Sequence, residues 1–165
     1  MTRTFERNHA HCACAGAGFS AASTKRKYER SRPFVVKHLA LDLDVSFEKK
    51  AVSGSARLDF SRRAPSGKAL VLDAVHLELH GVRLSLDGGA EITLLEGSGY
   101  SYDGEELSVP IAEGGQSGTL VVDYRAVPQV GLYFLEPDEQ VPDRPRQLWS
   151  QCQDEHGRHW FPCQD

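Results

Sequence analysis

The sequence is short of the features that mark several functional classes. It has no basic excess: Lys and Arg number 19 against 23 Asp and Glu, a formal net charge of −4, which argues against a nucleic-acid-binding domain. No run approaches the roughly 18 continuous apolar residues of a membrane-spanning helix, so no membrane contact is expected. Cysteine is sparse, with four in 165 residues, which is not the dense disulfide framework of a small secreted domain. Cys12 and Cys14 are too close to bridge each other readily. All four are read as reduced thiols, which places the chain in the cytoplasm. A secretory signal needs an apolar core segment. From Cys12 to Ala22 the chain is mostly Ala, Gly and Ser, with Phe19 the only large apolar residue, and no signal is expected.

Residues 1–31 read as a flexible tail, with Arg3, Arg7, Lys25, Arg26, Lys27 and Arg30 set among small residues. The tail holds His9-Ala10-His11-Cys12-Ala13-Cys14, whose donors are zinc ligands by type but are crowded for a closed tetrahedral site. Internal repeats, low-complexity segments and a convincing helical stripe are also missing.

What is present is alternation. Leu39, Leu41, Leu43, Val45 and Phe47 are interleaved with polar residues, the period-two signature of a strand with one buried and one wet face. Val52, Ala56, Leu58 and Phe60 resume the pattern after Glu48-Lys49-Lys50, which predicts an antiparallel hairpin. Residues 61–68 read as a loop, and Leu70-Val71-Leu72 as a more buried strand. Val75, Leu77 and Leu79 alternate again, and after Gly81 the phase flips to Val82, Leu84 and Leu86, as at a bulge or bend. Asp87-Gly88-Gly89 reads as a turn, and further short strands are expected at 91–95, 100–102, 107–111 and 119–125. His38, His76 and His80 fall in the polar phase and are expected on the solvent face. With 15 Gly and 8 Pro punctuating short strands, the predicted fold is all-β, an antiparallel sheet, sandwich or saddle.

After Tyr124 the alternation stops. Residues 148–165 are dense in polar and aromatic side chains, the composition of a functional loop on a rigid scaffold. Cys152, His156, His159 and Cys163 suggest zinc. However, the helical H-E-x-x-H motif puts its Glu after the first His. Here Glu155 precedes His156, His159 follows too soon, and Gly157 and Pro162 weaken a helix. No metal ligand is assigned in this chain, and Cys152 and Cys163 are expected to be small hydrophobes.

Three runs carry a resemblance: Gln129-Val130-Gly131-Leu132-Tyr133-Phe134, Trp149-Ser150-Gln151-Cys152-Gln153, and Arg158-His159-Trp160-Phe161-Pro162-Cys163-Gln164-Asp165. Together with the strand block opening at His38, they make residues 32–165 similar to the N-terminal domain of zinc aminopeptidases of the aminopeptidase N and leukotriene hydrolase type. The resemblance implies a saddle-like β module packed on a thermolysin-like catalytic domain. It further implies that the Gln-x-Gln loop helps bind the free α-amino group of a peptide substrate. Gln153 would supply the acceptor, with Gln151 beside it, because an ammonium has three donors to satisfy. Many members have Glu where this chain has Gln153; Gln resembles the leukotriene hydrolase branch. Arg158 and Asp165 would pair or cap the loop so that it presents Gln153, and Trp160, Phe161 and Pro162 would anchor it by packing.

The family's H-E-x-x-H and G-x-M-E-N motifs do not occur in these residues. The resemblance therefore implies zinc in a catalytic domain lying elsewhere, a β domain truncated at its C-terminal end, and no activity for this chain alone. A different reading is a stand-alone β-sandwich binding module whose Gln-Cys-Gln segment is a recognition loop. A weaker one is a small metal-binding protein using the tail and the C-terminal cluster.

Overall fold

The computed structural model describes residues 32–165. The flexible-tail expectation and the His/Cys cluster at residues 9–14 lie outside the described residues.

The period-two segments form strands. In chain order they are β1 (Phe34–Ser46), β2 (Ala51–Arg62), β3 (Ala69–Asp73), β4 (Glu78–Leu86), β5 (Ile92–Leu94), β6 (Ser101–Tyr102), β7 (Glu106–Pro110), β8 (Ser117–Ala126), β9 (Leu132–Leu135) and β10 (Gln147–Ser150). The Gly157–His159 segment closes the order as a single 3-10 turn. All strand pairing is antiparallel: a five-stranded sheet in the order β1-β2-β8-β4-β5, a three-stranded sheet β3-β7-β6 and a hairpin β10-β9. The all-β antiparallel expectation therefore holds.

The core lies between the two larger sheets. Leu58 pairs with Leu120, which pairs with Leu84, and Ala56, Val122 and Val82 form the next row. The facing sheet contributes Leu70 opposite Val109 and Leu72 opposite Leu107, and all of these side chains are buried. Apolar residues two apart on each strand thus share one dry face. β1 is covered less than its alternation suggests. It is an edge strand, so Leu39, Leu41 and Leu43 are half-buried and Val45 is 43% exposed.

Two local expectations meet different outcomes. The phase flip at Gly81 is a register shift between Leu79 and Gly81, as the sequence predicts. The Val75–Leu79 alternation is not a continuous strand, because β4 starts only at Glu78. The backbone before it bonds outside any ladder. Val75 N–H donates to the Arg158 carbonyl at 2.8 Å, His76 N–H to the Gly104 carbonyl at 2.7 Å and Leu77 N–H to the Tyr102 hydroxyl at 2.9 Å. A turn that buries Leu77 yields the same apolar spacing as a strand. His38, His76 and His80 are all exposed.

Tyr124 is the largest fully buried side chain, and its hydroxyl finds no hydrogen-bond partner among the described residues. Burial pushes that phenol above its ordinary range. An unsatisfied buried hydroxyl costs stability. Tyr124→Phe is thus expected to leave the urea midpoint unchanged or raise it, by an equivalent of about 1 kcal/mol. A clear loss would show that the hydroxyl is satisfied.

Candidate functional site

The segment after the last alternating strand is not shapeless. β9 and β10 pair with Tyr133 opposite Trp149, and those rings stack at 4.7 Å. Phe134 meets Phe47 edge-on at 5.6 Å, which ties the hairpin to the end of β1. The sequence hides β10 because all four of its residues are exposed, so no buried face imposes a period on them.

β10 delivers the chain into the Gln151-Cys152-Gln153 loop. Gln151 N–H donates to the Gly131 carbonyl at 3.0 Å. Cys152 Sγ lies 3.9 Å from the same carbonyl and accepts from Trp160 Nε1–H at 3.4 Å. Gln153 N–H reaches Gln151 Oε1 at 3.4 Å. The middle residue is therefore turned inward, and both Gln151 and Gln153 are exposed. Asp154 and Glu155 follow at φ 61° and 73°, left-handed conformations that cost a non-glycine residue roughly 1 kcal/mol each. His156 N–H then closes the turn on the Cys152 carbonyl at 3.2 Å.

Arg158 is the hub beneath this loop. Its Nε is 3.4 Å from Asp165 Oδ2, its Nη2 2.8 Å from Glu155 Oε2 and its Nη1 3.5 Å from Asp73 Oδ1. Its backbone N–H also donates to Asp165 Oδ2 at 3.0 Å. Asp165 thus serves both as ion partner and as cap for the 3-10 turn. The Glu155 contact is solvent-exposed and worth little. The Asp73 contact counts for more, because that carboxylate is only 6% exposed and the guanidinium 15%.

Sequence reasoning missed Asp73, which sits at the end of β3 and looks like any strand-terminal carboxylate. Gln164 was missed as well. Its Nε2 donates to the Phe34 carbonyl at 3.0 Å and the Val71 carbonyl at 3.3 Å, while its Oε1 accepts from Val36 N–H at 3.0 Å. It bridges β1 and β3 at a bridge point where Cys163 and Asp73 exchange backbone bonds of 2.7 and 3.0 Å. Cys163 is buried and Cys152 half-buried, and both are free. Burial, with Asp165 nearby, pushes the Cys163 thiol well up. Trp160 and Phe161 pack against the core, and Pro162 is fully buried.

The donors that suggest zinc do not converge. Among the described residues, no group of three or more His, Cys, Asp or Glu side chains is placed to hold a metal ion. The residues present do not fit that metal. No helix is long and apolar enough to cross a membrane, among the described residues.

Comparison with known proteins places this arrangement. The profile described as "Peptidase M1 N-terminal domain" matches residues 25–165. The chain is 31% identical over 134 residues to leucine aminopeptidase 2 of Pyricularia oryzae, covering 78% of this chain and 21% of that protein. It is 29% identical over 136 residues to leukotriene A-4 hydrolase of Xenopus laevis, covering 80% of this chain and 22% of that one. Among solved structures, yeast LTA4 hydrolase in complex with Bestatin superimposes with a TM-score of 0.60 at 27% identity, over 87% of this chain and 23% of that chain. The chain thus spans about a fifth of the length of the curated relatives it matches. With a family match over residues 25–165 and an antiparallel β fold to suit, the chain belongs to the Peptidase M1 N-terminal domain family.

Proposed function

We propose that this chain is the N-terminal, substrate-anchoring domain of a zinc metallo-aminopeptidase that removes N-terminal residues from peptides. The observation that carries this reading is the Gln151-Cys152-Gln153 loop. Its middle residue is tied inward through Trp160 and Gly131 while both glutamines stay exposed. Gln153 offers an amide oxygen to a peptide's α-ammonium, and Gln151 Oε1, already near Gln153 N–H, orients it. Arg158 and Asp165 support the loop by fixing the turn at its far end.

The partner is then a catalytic domain of the same protein. Zinc bound there would supply a metal-activated water, and this chain alone would be inactive. β10, with Leu148 and Trp149 37% and 48% exposed, is the face on which that domain would rest. The free Cys152 and Cys163 support a reducing, cytoplasmic setting.

The test has two arms. Reading the coding sequence beyond Asp165 should find H-E-x-x-H. In the protein that carries it, Gln153→Ala should lower kcat/KM for peptides with a free amino terminus by about 10–100-fold, the worth of one hydrogen bond to a charged group. N-acetylated peptides should show no such difference. An unchanged kcat/KM, or turnover by the 165-residue chain alone, would overturn the reading.

A further inference from the structure

The turn that clamps the far end of the glutamine loop has an uncommon charge content. His156, Arg158 and His159 stand almost side by side, and the two imidazoles meet edge to face with centroids 6.0 Å apart. The β3–β4 turn packs on them through the 2.8 Å bond from Val75 N–H to the Arg158 carbonyl, and it brings His76 within electrostatic reach of His159. The carboxylates at hand are Asp165, Glu155 and Asp73, and the single guanidinium of Arg158 engages all three. A proton on the His159 imidazole would add a second cation beside Arg158, and those carboxylates are already committed.

We propose that His159, set edge-on against His156 and beside Arg158, is an acid-sensitive latch: while neutral it lets the Gly157–His159 turn stay closed on the β3–β4 turn, and its protonation releases that turn together with the Gln151–Gln153 loop. The functional meaning of the release rests on the amine-anchoring reading of that loop, whereas the latch is a property of the fold alone.

The path from imidazole to glutamine is short and runs through the backbone. Trp160 and Phe161 N–H both donate to the Gly157 carbonyl, at 3.1 and 3.2 Å, and His156 N–H donates to the Cys152 carbonyl at 3.2 Å. The His156 carbonyl also lies against Gly131, so closely that a Cβ built there would sit 2.2 Å from it. The turn therefore cannot shift without moving Cys152 and the start of β9. The groups facing His159 set the sign. Burial first, then His156, Arg158 and His76, hold its imidazole below the ordinary range, and only Asp165 pulls the other way. A histidine in the unfolded chain titrates near ~6.5. As pH falls, the unfolded or opened chain takes up the proton first. The contribution to closure is full above that pH and falls away as pH drops through the lower, folded value.

The experiment follows Trp160, whose indole donates to Cys152, in a Trp149→Phe background that leaves it the sole tryptophan. Lowering the pH from 8 to 5 should change its fluorescence in one step with a midpoint below ~6.5. Amide protection at residues 152–156, corrected for intrinsic exchange, should fall by up to about tenfold per pH unit through the same range. His159→Gln should abolish the step. His76→Gln, which removes a repelling neighbour, should move it to higher pH. If His159→Gln fails to fold at pH 8, His156→Gln should still shift the step upward in pH. A flat Trp160 signal and flat protection in the wild-type chain would overturn the latch. So would a folded His159→Gln chain that keeps the wild-type step. No substrate or catalytic domain enters this measurement, so its failure leaves the role of Gln153 standing, and the reverse also holds.

Discussion

Gly131→Ala is expected to destabilise the chain by roughly 3 kcal/mol or more, because it combines backbone strain with an overpacked contact. Gly131 adopts φ 85°, and a Cβ there would stand 2.2 Å from the His156 carbonyl oxygen and 3.2 Å from the Trp160 ring. The obstacle is main chain belonging to the turn under the glutamine loop, so no side-chain rotation relieves it. Two controls separate the causes. Gly88 has φ 76° with nothing within 4 Å of its would-be Cβ. Gly88→Ala should therefore cost only the dihedral strain, about 1 kcal/mol. Gly131→Asn tolerates the positive φ but keeps the clash, and should be nearly as damaging as Gly131→Ala. Urea midpoints of the three variants decide the matter. If Gly131→Ala matched Gly88→Ala, the close approach of β9 to the 156–160 turn would be wrong.

Arg158→Met carries the second large effect, a loss of about 3 kcal/mol, the range for leaving one member of a buried ion pair behind. The deletion removes the guanidinium 3.5 Å from Asp73, a carboxylate 6% exposed, and the 3.4 Å partner of Asp165. It leaves the exposed Glu155 almost unaffected. Asp73→Asn on top of Arg158→Met should recover part of the loss, since an amide tolerates burial without a cation better than a carboxylate does. Additive losses in the double variant would show that Asp73 and Arg158 are not coupled. Arg158→Lys should fall between wild type and Arg158→Met, because an ammonium keeps the charge but cannot reach three carboxylates with a planar fork. Faster amide exchange at residues 151–153 in Arg158→Met would tie the hub to the order of the glutamine loop.

Much of the fold is legible without coordinates. Leu58, Phe60, Leu70, Leu72, Val82 and Leu84 all lie in the apolar phase of their strands and are all buried, because a strand in a two-layer sheet must turn alternate side chains to the core. The phase change at Gly81 locates a register shift for the same reason. The misreading at Val75–Leu79 shows where that logic stops. Periodicity records which residues are buried, and a turn can bury Leu77 as well as a strand can. β10 marks the opposite limit. Gln147–Ser150 is exposed throughout, so its pairing with β9 leaves no trace in the hydrophobic pattern and is held by the Tyr133–Trp149 stack.

The site divides along the same line. Gln151, Gln153, Arg158 and Asp165 lie within one stretch of sequence whose residue types could be matched as a motif, and the structure brings Arg158 to Asp165. Asp73 joins them from the end of β3, and Gln164 reaches back 130 residues to the Phe34 carbonyl. No spacing rule links such positions, since their meeting is fixed by how the two sheets stack. The sequence by itself thus determined the all-β class, the strand faces and the family motif, which are local consequences of side-chain period and residue type. Only the tertiary structure decided that Arg158 shares a buried carboxylate with β3, that Gly131 must lack a side chain, and that the turn holding Arg158 docks on the β3–β4 turn through Val75. Those facts arise from contacts between segments far apart in the chain, where packing and charge burial act without regard to sequence order.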